Sequence, residues 1–186
     1  PHVQPRPARL VVSGDRQLFL LTFGGTCNGA GCSGAVSRVT PQGDLVELLG
    51  GTVYDPVGAP SALVAGRGDR LYGRTYTVRG GRTFVMTSPS TVTFIDQSFS
   101  PLTVGPDGWM YGLLFDSGAS WFARMRDTAI ERLWAFGLFV DQVADGLDGF
   151  LYLSTFQTSG DDRDPGIVRM PWPPVPPAVS GVRILR

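Results

Sequence analysis

The sequence predicts an all-β chain, and three observations predict it. Gly (25) and Pro (15) together exceed one residue in five of the 186, while β-branched and aromatic residues are spread between them, the pattern of many short strands and turns. No segment of useful length has helical periodicity; Thr128–Phe136 comes nearest, with Ile130, Leu133 and Trp134 spaced as a helix turn would have them. The acidic residues are almost all Asp, with Glu47 and Glu131 the exceptions, and Asp favours turns where Glu favours helix.

The third-party evidence for strands is an internal repeat. Four segments align without gaps: Leu18-Phe-Leu-Leu-Thr-Phe23, Leu71-Tyr-Gly-Arg-Thr-Tyr76, Met110-Tyr-Gly-Leu-Leu-Phe115 and Leu151-Tyr-Leu-Ser-Thr-Phe156. Each carries two aromatics four residues apart, on one face of a strand, and this pair is expected to form an apolar stripe in the core. A turn precedes each: Gly14-Asp15, Gly68-Asp69, Asp107-Gly108 and Asp148-Gly149, dipeptides that tolerate positive φ. Ahead of the turns stand short apolar strands, Leu10–Val12, Ala62–Ala65, Leu102–Val104 and Gln142–Ala144.

A third strand follows each aromatic one: Val36–Val39, Phe84–Met86, Phe122–Met125 and Ile167–Met170, three of them with Arg38, Arg124 or Arg169 before the last apolar residue. Fourth strands are expected at Leu45–Leu49, Val92–Ile95, Ile130–Phe136 and Val182–Leu185. Four strands in about 40 residues is the size of a propeller blade. The expectation is therefore a single small β-propeller over 1–186, with four blades of four antiparallel strands at roughly 8–50, 61–98, 101–136 and 141–186. A Pro-rich arm, 1–7, precedes them, and a Pro-rich segment, 171–177, interrupts the last.

The run Phe23-Gly-Gly-Thr-Cys-Asn-Gly-Ala-Gly31 followed by Ala35-Val-Ser-Arg-Val-Thr-Pro-Gln-Gly-Asp-Leu45, with Gly105-Pro-Asp-Gly-Trp-Met-Tyr-Gly112, resembles bacterial tandem-repeat propellers of the choice-of-anchor family. Their units read Asp-Gly-x-Leu-Tyr-Gly, a Gly-Gly-Asn-Gly loop, then Val-Phe-x-Leu-x-Pro-x-Gly. This chain departs where Leu20 and Leu153 replace the Gly after the aromatic and where the second unit lacks the Asn-Gly loop. The resemblance implies a propeller that is exported or held at a cell surface, with no assigned chemistry.

Composition narrows the function classes. Sixteen basic residues, all Arg, balance sixteen acidic ones, so no long-range field for nucleic acid or anionic lipid is expected. No apolar run approaches the ~18–20 residues of a membrane-spanning helix. The chain begins at Pro1 and not at Met, which reads as a trimmed, extracytoplasmic chain, periplasmic, cell-surface or secreted. Cys27-Asn-Gly-Ala-Gly-Cys32 reads as a disulfide across a Gly-rich loop, in keeping with an oxidising compartment.

Catalytic machinery is sparse: one His, His2, rules against a Ser-His or Cys-His pair, and with no Lys there is no phosphate-binding loop. No catalytic residue is assigned and no cofactor is expected, with calcium the one candidate. Asp161, Asp162 and Asp164 form the densest acidic cluster, either a calcium loop or a solvated turn. Trp109, Trp121, Trp172, Pro173, Pro174, Pro176 and Pro177 are candidates for partner binding. The expected function is a non-catalytic, exported scaffold or accessory subunit that binds protein partners or self-assembles. Alternatives are a carbohydrate-binding module and a calcium-dependent propeller hydrolase or lactonase.

Overall fold

The computed structural model describes residues 7–24, 32–87, 91–105, 107–116, 119–136, 139–145, 148–159, 162–171 and 183–185. Among these residues sixteen strands form in chain order: β1 (Pro7–Val12), β2 (Leu18–Gly24), β3 (Ser33–Val39), β4 (Leu45–Thr52), β5 (Ala59–Ala65), β6 (Arg70–Thr77), β7 (Gly80–Thr87) and β8 (Thr91–Ile95). They continue as β9 (Ser98–Val104), β10 (Met110–Asp116), β11 (Ala119–Arg126), β12 (Ala129–Phe136), β13 (Phe139–Asp145), β14 (Phe150–Ser159), β15 (Asp162–Pro171) and β16 (Arg183–Leu185). Hydrogen bonding groups them into four antiparallel sheets of four, each in sequence order. The segment with helix-like spacing is β12, because its backbone pairs with β11 from Arg126↔Ala129 to Ser120↔Phe136.

The first strands are longer than expected, and the reason is a shared bulge. Register shifts fall between Pro7 and Arg9, Pro60 and Ala62, and Val140 and Gln142, the same place in three repeats. An extra residue there (Ala8, Ser61 or Asp141) reverses the in–out alternation, so the apolar pattern begins only after it. A second shared bulge sits in the fourth strands, where Val36/Ser37 of β3 and Phe122/Ala123 of β11 face shifted partners.

The chain divides into two compact units, Pro1–Pro101 and Leu102–Arg186. In the first, Phe19, Leu21 and Val36 of one sheet pack with Leu63, Leu71, Phe84 and Met86 of the next. In the second, Tyr111, Leu113, Phe122 and Leu133 pack with Leu151, Leu153, Val168 and Met170. The rule is the same in both. One sheet offers the face carrying its repeat aromatic; the other offers the opposite face, which carries the leucine beside its aromatic.

The expected stripe needs one correction. The first aromatics Phe19, Tyr72 and Tyr111 are buried and Tyr152 is half-buried, whereas the second sits at the edge: Tyr76 is 46% exposed, and Phe23 and Phe115 are partly exposed while packing against buried clusters.

Glycine after the aromatic has a local cause. Gly73 pairs with Phe84, and a Cβ at Gly73 would run into the Phe84 ring and lie 2.6 Å from the Ala62 carbonyl oxygen. The first two sheets exchange volume at this pair: Leu20 faces Ser37 where Gly73 faces Phe84. Gly73→Ala is expected to cost about 1–3 kcal/mol by overpacking. Urea unfolding of Gly73→Ala, Phe84→Leu and the double variant checks this, the double variant being less destabilised than the sum of the two singles.

Candidate functional site

The repeat positions a polar unit at the entrance of the second strands. In the third sheet, the Asp107 carboxylate accepts the Trp109 backbone N–H (3.1 Å) and the Tyr111 hydroxyl (2.7 Å). Arg124, paired with Tyr111 across the strands, lies 4.0 Å from Asp107 and bonds Glu131 at 2.7 Å. Its guanidinium rests 4.5 Å from the centre of the Trp109 ring. The fourth sheet repeats this: Asp148 accepts the Phe150 N–H (3.1 Å) and the Tyr152 hydroxyl (2.8 Å), Arg169 lies at 3.5 Å, and its guanidinium sits 3.5 Å over the Phe150 ring. An Asp closing its own turn thereby also orients the Tyr and the Arg.

Burial, and then the Asp107 bond, raise the Tyr111 phenol well above its ordinary value. The Tyr152 hydroxyl bond lowers the Asp148 carboxyl.

Exposed aromatics collect elsewhere, in the first unit. A cavity of about 600 Å³ is lined by Phe23, Cys32, Val53, Tyr54, Ser61, Arg74, Tyr76 and Val78. A second, of about 640 Å³, shares Val53, Tyr54 and Val78 and adds Asp55, Pro56, Thr77, Arg79 and Arg82 among its walls. Together they form a cleft on either side of Tyr54, which is 60% exposed.

The connection from β4 to β5 is fixed in place by backbone bonds. The Val53 N–H donates to the Cys32 carbonyl (2.9 Å), and the Val78 N–H donates to the Val53 carbonyl (2.9 Å). Asp55 holds the turn by accepting the Thr52 N–H at 2.6 Å. Gly58 has φ +82°, and a Cβ there would lie 2.8 Å from the Tyr76 carbonyl oxygen, so glycine is required on both counts. Ser61 is the residue extruded by the β5 bulge, which turns it toward the cleft, and its hydroxyl donates to the Arg74 carbonyl at 3.2 Å. Burial lowers the Arg74 guanidinium below its ordinary value, against Gly81 of the neighbouring strand.

The residues singled out in the sequence are distributed as follows. Trp109 packs on the core of the second unit with Arg124 and Arg126 (5.8 Å) over its ring, so it is not an open platform. Trp121 is half-buried beneath Arg132, which pairs with Asp116. Trp172, Pro173, Pro174, Pro176 and Pro177 lie outside the described residues, as do Cys27 and Asp161. Cys32 is buried beside Val53 and Ala59. Asp162 and Asp164 do not sit in a loop: their backbone is strand, paired with Ser159 and Gln157. Among the described residues, no group of three or more His, Cys, Asp or Glu side chains is placed to hold a metal, and no helix is long and apolar enough to cross a membrane.

The Tyr54–Tyr76 cleft was not foreseen. Tyr76 reads as a core aromatic in the repeat, and Tyr54 falls between the first two expected blades.

No family model matches the chain, and no curated protein matches it. Solved structures do. The GH43 protein BlXynB from Bacillus licheniformis is 15% identical at a TM-score of 0.40, covering 89% of this chain and 39% of that one. The endo-arabinase from Bacteroides thetaiotaomicron VPI-5482 is 11% identical at 0.44, covering 91% of this chain and 76% of that one. The chain thus spans well under half of the first of these proteins. The expectations of a non-catalytic scaffold or accessory subunit, and of a chain that is not an enzyme, are corrected here: the fold's likenesses include an endo-arabinase, which is an enzyme. At TM-scores under 0.5 the likeness assigns this chain no reaction.

Two outcomes follow from the polar unit. Tyr111→Phe removes the hydroxyl from Asp107 and is expected to lower stability by about 1 kcal/mol, read from urea midpoints. Because the folded-state carboxyl of Asp148 is depressed, its contribution is present above the unfolded value near ~3.9 and is lost as pH falls through the folded value. Asp148→Asn should therefore flatten the decline of melting temperature below about pH 4, measured by scanning calorimetry in a pH series.

Proposed function

We propose that this chain is a carbohydrate-recognising β-propeller domain that holds sugar rings in the cleft around Tyr54 and Tyr76. One observation carries the reading: two exposed tyrosines, with Phe23 behind them, border a cavity of about 600 Å³ that also presents Ser61 and Arg74. Sugar rings have apolar C–H faces that lie on aromatic rings, and equatorial hydroxyls that take hydrogen bonds from guanidinium and hydroxyl groups. The cavity is of monosaccharide to disaccharide size, and the backbone bonds through Val53 give it a fixed floor, which lowers the cost of ordering on binding.

Hydrolysis of a glycoside needs two carboxyl groups across the scissile bond. Among the residues lining the two cavities, Asp55 is the one carboxylate, so the geometry supports recognition and assigns no cleavage step.

The four sheets are proposed as four blades, of the kind found in the choice-of-anchor repeat propellers, in an extracytoplasmic protein. The two features in support are the bulge shared by first strands and the common face-to-face packing rule. The Cys27–Cys32 disulfide belongs to the same proposal, since Cys32 forms part of the cleft wall.

Titration calorimetry of the full chain with soluble polysaccharides of arabinose, xylose and glucose tests the reading. Binding to at least one is expected, weakened about 3–10-fold by Tyr54→Ala or Tyr76→Ala at an unchanged melting temperature. No heat with any of the three, or affinities untouched by both variants, overturns it.

A further inference from the structure

The first sheet breaks the Asp–Tyr–Arg unit, and a cavity opens where it breaks. Four residues occupy the corresponding places: Asp15, Gln17, Phe19 and Arg38, with Phe19 paired to Arg38 as Tyr111 is to Arg124. Phe19 has no hydroxyl for the turn carboxylate, and Gln17 is no ring for the guanidinium to rest on. Asp15 turns instead to the Ser13 hydroxyl and to the Gln17 side-chain amide, which donates to it at 2.7 Å. Among the described residues, no carboxylate lies within ion-pair distance of Arg38, although Arg124 has two and Arg169 has one.

A cavity of about 570 Å³ is lined there by Arg16, Gln17, Leu18, Arg38, Val39, Thr40 and Pro41. One further feature marks it as a site. Arg16 has φ +63°, at the turn position that Gly108 and Gly149 fill with φ +82°. A side chain in that conformation is strained, yet it brings a second guanidinium to the cavity.

We propose that this cavity binds a sugar acid, a uronate, whose carboxylate lies between Arg38 and Arg16. The ring's C–H face lies on Leu18, Val39 and Pro41. The two guanidinium groups select an oxyanion and favour a planar carboxylate. The apolar wall selects a ring-bearing acid over a bare anion. This site shares no residue with the Tyr54–Tyr76 cleft and does not depend on it.

The test is titration of the full chain with galacturonate, with galactose and with inorganic phosphate at low salt, followed by NMR or calorimetry. Galacturonate is expected to bind, with galactose and phosphate each at least about tenfold weaker. Arg38→Gln should weaken galacturonate at least about tenfold while leaving the melting temperature and polysaccharide binding at the cleft unchanged. The double change Gln17→Trp with Phe19→Tyr rebuilds the unit of the third sheet and should also abolish uronate binding, by occupying Arg38 and filling the space. Tyr54→Ala should leave it intact, so failure of the cleft and failure of this site are read separately. Absence of galacturonate binding to the unmodified chain, or affinity indifferent to Arg38→Gln, overturns the proposal. So does phosphate binding as tight as galacturonate, which would make the site a general anion trap.

Discussion

The constraint on which the structure rests is that a second strand such as β6 or β10 has to satisfy packing on both of its faces. In β10, Met110 and Leu114 are buried on one side while Tyr111 and Leu113 are buried on the other. Such a strand cannot alternate apolar and polar residues, and it reads as a near-continuous apolar run. Its own side chains must then solve two packing problems at once. Glycine after the aromatic is one solution, where the opposing strand supplies a large ring, as Phe84 does for Gly73. Leucine is the other, where the opposing residue is small, as Ser37 is for Leu20. The departure at Leu20 is therefore an exchange of volume across one cross-strand pair, whereas Leu153 faces Val168, large against large.

A strand buried on both faces leaves its polar chemistry at its ends. The turn aspartates illustrate the consequence: Asp107 and Asp148 each satisfy a backbone N–H, a tyrosine hydroxyl and an arginine. Three charged or polar groups are consumed in holding one turn, and the arginine covers the ring that would otherwise be an exposed platform. Where the same positions hold Phe19 and Gln17, Arg38 is released from the turn, while Asp15 turns to Ser13 and Gln17. Chemistry in this chain thus arises from a packing unit by subtraction, and the repeat itself defines the reference state from which the subtraction is measured.

How much of this was legible in the sequence follows from which signals are local. The aromatic strands, the Asp–Gly turns and the third strands were readable because each depends on residues within a few positions of one another. The starts of β1, β5 and β13 were not, since a bulge at Ala8, Ser61 or Asp141 inverts the alternation that announces a strand. The repeat arginines were visible as a pattern, but their partners sit across a strand pair, at a distance that spacing alone does not reveal. Trp109 looked like an open ring because sequence shows the residue and not the Arg124 lying over it. Tyr76 was misjudged for the opposite reason. Its place in the repeat predicts burial, and only the path of the chain through Val53 and Val78 leaves it at the rim of a cleft.

Packing an aromatic face on a leucine face has a direction, and a directional pairing leaves unlike ends. Leu10 is 64% exposed, whereas Leu63, in the same repeat position, is fully buried by the sheet that packs on it. Ile167 is 49% exposed, whereas Val36 and Phe122, again in its position, are fully buried. Within each unit the same pairing covers one sheet's aromatic face with its neighbour's leucine face, and Leu10 and Ile167 lie on the faces which that pairing does not use.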